Sequence, residues 1–558
     1  MLGPSTSDSR LNITLQGYDI VIALSQSNIN ESLEYQFGIL HPELCDVKVT
    51  LSDSGDSIEG TLEVPTIQLI DIDGDDKAMY CLKFQDGNLT QFIVHPRDDD
   101  AKGGGSPDID KVVTSAEGWE IIFHVGFSLK KMAQVPEMIR DKVQLPGSYS
   151  VEQLVVDLDT ADLIDVATDK CVLTGFATQD AEDRARACLS TFVRKWINHL
   201  NEVNDEGALN VLSYVVKADN HDSIPPSRPS FPPTSVRLQT INHRPEGDRN
   251  KSSPNDDFNA FLFTEMTGFR DMVTKDLAWS GDWFYEGIGG TMVMSKRVFW
   301  DEFLSNELKV MNEKAIKGAQ NIVQIMAATV FNNEIDFSHL NTNWQPAHDG
   351  GSIFVSEMRG EKYLHDRVNF VGPNPAFEFN YEAFVECSAI PVIGQPVVEL
   401  CTKMYVTGHF SAYIYGMPKA IFEAVINSRA SSIIKSKIRF DQVADTGRMV
   451  VSIQRDSLET PCEVDPDLDG MTKWIPGLSE YLMKQANVDF WKKLAETEAV
   501  MAMSSVADIK EPLERALNGQ GALVFPGAGT FEFKDPIFNK AEDLMIGLVF
   551  KQGNSADE

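Results

Sequence analysis

The stretch Ser295-Lys-Arg-Val-Phe-Trp300-Asp-Glu-Phe-Leu304-Ser-Asn-Glu-Leu308-Lys-Val-Met311 decides the fold. Ser295 is a helix-capping residue type, and from Trp300 the apolar residues recur at helical spacing: Trp300, Leu304, Leu308, Met311, Ala315, Ala319, Ile322 and Met326. One continuous helix over about 295–331 is therefore predicted, about 55 Å long at 1.5 Å per residue. A helix of that length needs a large apolar partner. Gly318 lies inside it, where glycine costs about 1 kcal/mol relative to alanine, so it marks a bend or a close contact.

The partner is legible on either side as period-two segments. Val47, Val49 and Leu51 alternate, as do Tyr80, Leu82 and Phe84, the run Trp119, Ile121, Phe123, Val125, Phe127 and Leu129, and Leu154, Val156 and Leu158. Farther on, Phe377, Phe379, Tyr381, Ala383, Val385 and Cys387 alternate in the same way. Such runs divided by Asp/Gly turns predict antiparallel sheets with one greasy face. The stripe Ala185, Leu189, Phe192, Trp196 and Leu200 predicts a helix for the first sheet, and 488–518 predicts a last one. Ser25 caps a further helix carrying Ile29, Leu33 and Phe37. Lys102–Pro107 is a Gly-rich loop between strands. Helix plus antiparallel sheet thus occurs twice, in modules 1–223 and 259–558. A connecting segment 224–258 lies between them, rich in Pro225, Pro226, Pro229, Pro232 and Pro233 and then polar, with a short strand-like Val236–Ile241.

Composition narrows the function. Over 558 residues, 49 Lys and Arg face 83 Asp and Glu, a net charge of −34. Nucleic-acid coating needs the opposite surplus, and attraction to anionic membranes is disfavoured too. No apolar run reaches the roughly 18 residues of a membrane span. The first ten residues are polar and carry no secretory leader pattern, so synthesis in the cytoplasm is expected, with release, if any, by a non-classical route. Seven scattered cysteines without a CxxC pair fit reduced thiols.

Catalytic signatures are absent: no phosphate-cradling glycine loop, no HExxH and no GxSxG occurs, and a non-enzymatic protein is expected. The histidines His339, His348 and His365 lack metal-ligand spacing. Asp465-Pro-Asp467-Leu-Asp469-Gly470 imitates the start of a calcium loop, yet Thr472 and Pro476 stand where an apolar residue and a bidentate Glu belong. A solvated acidic turn is the competing reading, and no cofactor is expected beyond bound lipid. What remains is the stripe itself. Trp300, Leu304, Leu308 and Met311 are candidate lipid contacts, and core packing predicts the same residues.

Four segments carry a resemblance. Gly17-Tyr-Asp-Ile-Val-Ile-Ala-Leu-Ser25 with Asn28-Ile-Asn30 resembles the opening of the clostridial forty-seven-kilodalton protein family, encoded beside botulinum neurotoxin in orfX-type gene clusters. Asn259–Thr267, Gly289–Phe299 and Phe525-Pro-Gly-Ala-Gly-Thr-Phe-Glu-Phe533 resemble later family segments in the same order. The resemblance implies an α+β, TULIP-like fold (tubular lipid-binding, as in bactericidal permeability-increasing proteins), with long amphipathic helices wrapped by strongly curved antiparallel β-sheets. It implies an accessory role in a toxin or insecticidal multi-protein system, with lipid or fatty acid and proteins of the same cluster as partners. No catalytic residues carry over. A protein–protein interaction scaffold with a filled core is the rival expectation.

Overall fold

The computed structural model describes residues 9–52, 55–72, 75–95, 108–131, 149–157, 167, 169–203, 211–218, 231–243, 256–285, 287–328, 345–346, 351–364, 375–414, 418, 423–442, 449–467, 488–518, 523–524 and 530–551. Lys102–Pro107 and Leu158 lie outside these, as do His339, His348 and His365.

Ile20–Ser25, Ala260–Thr267 and Gly290–Met294 are buried along their whole length and show no alternation, because both of their faces are covered. They are neighbours in a six-stranded antiparallel sheet ordered Pro233–Ile241, Ala260–Thr267, Ile20–Ser25, Gly290–Met294, Leu544–Lys551 and Thr530–Phe538. One face sends Ile20, Ile22, Leu24, Phe261 and Phe263 into the main core. The other sends Val21, Ala23, Leu262 and Val293 into a second core with Tyr18, Leu277, Trp283 and Phe284. The proline-rich stretch thus ends in an edge strand of this sheet, where Pro233 is tolerated as the first residue.

Two helices leave this sheet in the same manner. Ser25 closes its strand, and its Oγ accepts the Asn28 N–H at 3.2 Å to start Gln26–Leu33. Ser295 follows Gly290–Met294, and its Oγ accepts the Val298 N–H at 3.3 Å. Both then widen into π-type turns, Glu34–Leu40 and Arg297–Leu304. The single regular helix expected over 295–331 is therefore three runs: Arg297–Leu304, Ser305–Glu307 and Lys309–Ala328. The wide turns occur where Val298, Phe299, Trp300, Phe303 and Leu304 are all buried, a broader buried face than a regular helix presents, with Arg297 and Asp301 left on the solvent side. Ser295→Ala should cost about 1 kcal/mol of stability, read as a lower urea midpoint for loss of near-UV dichroism.

The nine-stranded N-terminal sheet turns on one long strand, Asp75–His95. Its first half pairs with Thr66–Ile72 and Glu120–Lys131, and its second with Ser57–Leu62 and Asp108–Ser115. A register shift falls at the change of partner. Nearby, Gly60 and Gly87 face each other, and a Cβ on Gly60 would meet the Asp86 carbonyl at 2.3 Å, so the crease requires glycine. Tyr80 and Phe84 on the inner face meet Trp196 and Phe192 of the helix Gln179–Val203, with ring centroids 5.9 and 5.7 Å apart. The stripe from Ala185 to Leu200 is buried as its spacing predicts.

The seven-stranded C-terminal sheet is built of long strands: Ser352–Leu364, Pro375–Pro391, Val397–Ile414 and Glu423–Gln442, the last paired with both Met449–Glu459 and Cys462–Asp467. Phe377, Phe379, Ala383, Val385 and Cys387 point inward, as expected, beneath Lys309–Ala328 and the helix Val488–Asp508.

Candidate functional site

Trp300 sits where the long helix leaves the central sheet. Its indole N–H donates to the Glu542 carbonyl at 3.1 Å, and its ring lies 5.9 Å from Phe538. Phe299, Phe440 and Phe538 close an aromatic cluster that ties the helix start to the central and C-terminal sheets. Leu304, Leu308 and Met311 follow, and all four candidate contacts are at most 2% exposed within the main core.

Beyond Met311 the helix runs along the strand Val397–Ile414. Thr402 Oγ1 lies 3.9 Å from Met311 Sδ. A Cβ on Gly318 would be 3.4 Å from Met404 Sδ, and one on Gly408 would be 3.1 Å from Met326 Sδ. The helix from Met311 to Met326 and the strand from Thr402 to Gly408 both span roughly 20 Å at 1.5 and 3.3 Å per residue, so the two lie side by side and parallel. Gly318 marks a close contact: its Cβ would stand 3.2 Å from Glu498 Cβ on the helix Val488–Asp508. Asn321 donates to Glu498 Oε1 at 3.4 Å, and desolvation raises the pKa of this carboxyl.

This seam is soft and polar in places. Met311, Met326, Met358 and Met404 line it with Ala315, Ala319, Ala383 and Ala430, all buried. Ser356, Val385, Met404 and Ser432 form one cross-strand row on the inner face. Among the described residues, the Ser356 and Ser432 hydroxyls are buried without a hydrogen-bond partner. So are both amide atoms of Asn312 on the long helix. Unsatisfied hydroxyls thus lie among flexible methionine side chains that repack readily.

Asp465 and Asp467 lie in the extended edge strand Cys462–Asp467, opposite Asn427 and Val425, where a calcium loop would have to wrap its ligands inward. Asp469 lies outside the described residues. Among the described residues no group of three or more His, Cys, Asp or Glu is placed to hold a metal. All seven cysteines are unbridged.

The resembling segments have a common location. Strands from the first three are adjacent in the central sheet, and the strand Thr530–Phe538, begun by the fourth, lies at that sheet's edge. Asp19, fully buried, is their hub. Its Oδ2 accepts the Thr267 N–H and hydroxyl at 2.8 and 3.2 Å and Arg270 Nε at 2.8 Å. Its Oδ1 accepts Arg297 Nε at 3.0 Å, and Arg270 also pairs with Glu302. Glu265, on the same strand as Thr267, is buried with an unpartnered Oε1, and desolvation pushes its pKa up to about 8. Nothing in local sequence separates these two carboxylates from the many exposed ones.

Long helices laid against large antiparallel sheets, once in each half and joined through a shared central sheet, define an α+β protein. The chain is similar to P47 from Clostridium botulinum A2 over 97% of its own length and 99% of that chain, at 9% identity and a TM-score of 0.41. It is similar to P47 of Clostridium botulinum E1 over 95% and 98%, at 11% identity and a TM-score of 0.43. It is also similar to a lipopolysaccharide binding protein over 96% and 99%, at 10% identity and a TM-score of 0.34. No protein-family model matches the chain, and no curated protein sequence does.

Proposed function

We propose that this protein is a non-enzymatic lipid-binding component of a toxin or insecticidal multi-protein system, holding acyl chains between its long helices and the C-terminal sheet. The observation that carries the lipid reading is the row Ser356–Val385–Met404–Ser432, two unpartnered hydroxyls flanking a methionine beneath Gly318. Each acyl methylene moved from water into the seam contributes about 0.8 kcal/mol, and an ester or headgroup oxygen would satisfy a stranded hydroxyl. The assembly role rests on the four-segment resemblance. It is tested by co-elution with the products of neighbouring genes.

The decisive experiment is organic extraction and mass spectrometry of natively purified protein, with fatty acid and phospholipid uptake measured on delipidated material. Stoichiometric lipid, reduced in Ser432→Ala, supports the carrier. Protein that carries none and takes up none sinks it. The full enclosure of Trp300, Leu304 and Leu308 favours the rival, a filled interaction scaffold. The two readings part at Ser432→Ala: in a filled scaffold, deleting an unpaired buried hydroxyl is neutral or stabilises by up to about 1 kcal/mol, with no ligand to lose. Trp300→Glu and Leu304→Glu are unsuitable probes, since a charge at either enclosed position unfolds the core.

A further inference from the structure

The outer face of the C-terminal sheet, turned away from the lipid seam, carries side chains in cross-strand rows set by the register. Glu361, Asn380, His409, Asn427 and Asp465 form one row. Arg359, Glu382, Thr407, Arg429 and Glu463 form the next. Between the two rows lie the inward-pointing positions Gly360, Tyr381, Gly408, Ser428 and Val464, so the floor is largely backbone and a groove of about 660 Å³ opens there. A second groove of about 610 Å³ begins at the same Arg359, Glu382 and Arg429 and extends past Phe384, Tyr405 and Ser431. Five strands at about 4.8 Å spacing give the floor a length of about 19 Å.

The chemistry of the walls selects a ligand. Phe384 and Tyr405 are direct register partners and present adjacent rings. The Arg429 guanidinium lies 4.6 Å over the Tyr405 ring, makes no hydrogen bond or ion pair among the described residues, and borders both grooves. Asn380 Oδ1, enclosed at the groove floor, also has no partner among the described residues, while its Nδ2 donates to Glu378 at 3.2 Å. The other two cations are already engaged: Arg359 pairs with Glu382 at 3.6 Å and Lys403 with Glu386 at 2.6 Å. Carboxylates outnumber cations four to two in the first groove and balance them three to three in the second, and the chain carries a net charge of −34, so an anionic ligand is repelled. Donors and acceptors interleave along each row, and a hydroxyl is the group that donates and accepts at once. Aromatic faces beside such rows suit the apolar faces of sugar rings.

We propose that this face is a binding site for a neutral oligosaccharide, lying across the strands with a ring over Phe384 and Tyr405 and its hydroxyls on Arg429, Asn380 and Asn427. The site is separate from the lipid seam, so either assignment can fail alone.

The test applies the full-length protein to an immobilised panel of neutral oligosaccharides of glucose, galactose, mannose and N-acetylhexosamine, with sialylated glycans and oligolysine as charged probes. Calorimetry on the best neutral probe follows. Phosphatidylcholine vesicles with and without a neutral glycosphingolipid separate a free glycan from one borne on a membrane. Tyr405→Ala and Arg429→Ala should each weaken binding about tenfold or more, as loss of a central anchor does. Thr407→Trp, which fills the groove from a half-buried position on the outer face, should abolish binding, while Lys48→Ala in the N-terminal sheet leaves it unchanged. Circular dichroism and melting confirm that each variant folds. Three outcomes overturn the proposal: no neutral probe binds at millimolar concentration, binding survives Thr407→Trp, or only a charged probe binds.

Discussion

Asp19→Ala should lower the stability of the protein by about 3 kcal/mol, one of the two largest effects expected of a single polar substitution here. The carboxylate is fully buried, and it ties its own strand to two other segments, Thr267–Arg270 through the Thr267 backbone and Arg270, and the helix start through Arg297. Removing it strands a buried N–H and leaves two guanidinium groups without their shared counter-ion. The loss is at the low end of the range for a broken buried pair. Arg270 keeps Glu302, and Arg297, 43% exposed, can turn to water. Arg297 also begins the long helix, so its release loosens the helix where it leaves the sheet. The measurement is urea unfolding followed by near-UV dichroism beside Lys48→Ala. Lys48 pairs with Glu59 at 2.9 Å in open solvent, and its loss should stay within about 0.5 kcal/mol. Equal, small effects at both positions would refute the hub role of Asp19.

What could be read from the sequence divides along physical lines. Strands with one wet face announce themselves, as Trp119–Val125 and Phe377–Cys387 do, because burial and exposure alternate with the pleat. The stripe from Ala185 to Leu200 and the capping serines Ser25 and Ser295 are equally local signals, and the structure agrees with each. The central sheet is invisible by the same logic. Ile20–Ser25, Ala260–Thr267 and Gly290–Met294 are apolar on both faces, and their pairing joins residues hundreds of positions apart. The break in the long helix was also hidden, since the stripe Trp300, Leu304, Leu308 scans equally well through regular and wide turns. At the candidate seam, the apolar residues were legible but their use was not, because core packing and acyl-chain contact demand the same side chains. The informative atoms there are Ser356, Ser432 and Asn312, whose lack of partners is a property of the folded register alone. The outer groove needed the register too: Tyr405 and Arg429 become neighbours only once their strands are paired.

Glu265 gives the second large effect, one with a definite sign in pH. Its carboxyl lies in the central sheet among apolar neighbours, and desolvation raises its pKa from 4.5 to about 8. A folded-state pKa above the unfolded one means the native protein holds a proton that the unfolded chain releases. The stabilisation is fully present below about pH 4.5, declines as pH rises, and is gone above about pH 8. At about 1.4 kcal/mol per pKa unit the loss across that window is about 5 kcal/mol. Asp543, raised by burial to about 6, adds a decline of the same sign that ends earlier. Glu265→Gln keeps the shape and cannot ionise, so it should remove most of the dependence between pH 6 and 8 and leave the variant more stable than the parent at pH 8. Urea midpoints at pH 5, 6, 7 and 8 on both proteins measure this directly. Parallel curves would mean that the Glu265 carboxyl finds water or a counter-charge that its buried position denies it. Diverging curves, with the parent falling away above pH 6, would show that the strand Ala260–Thr267 carries a proton in the native state.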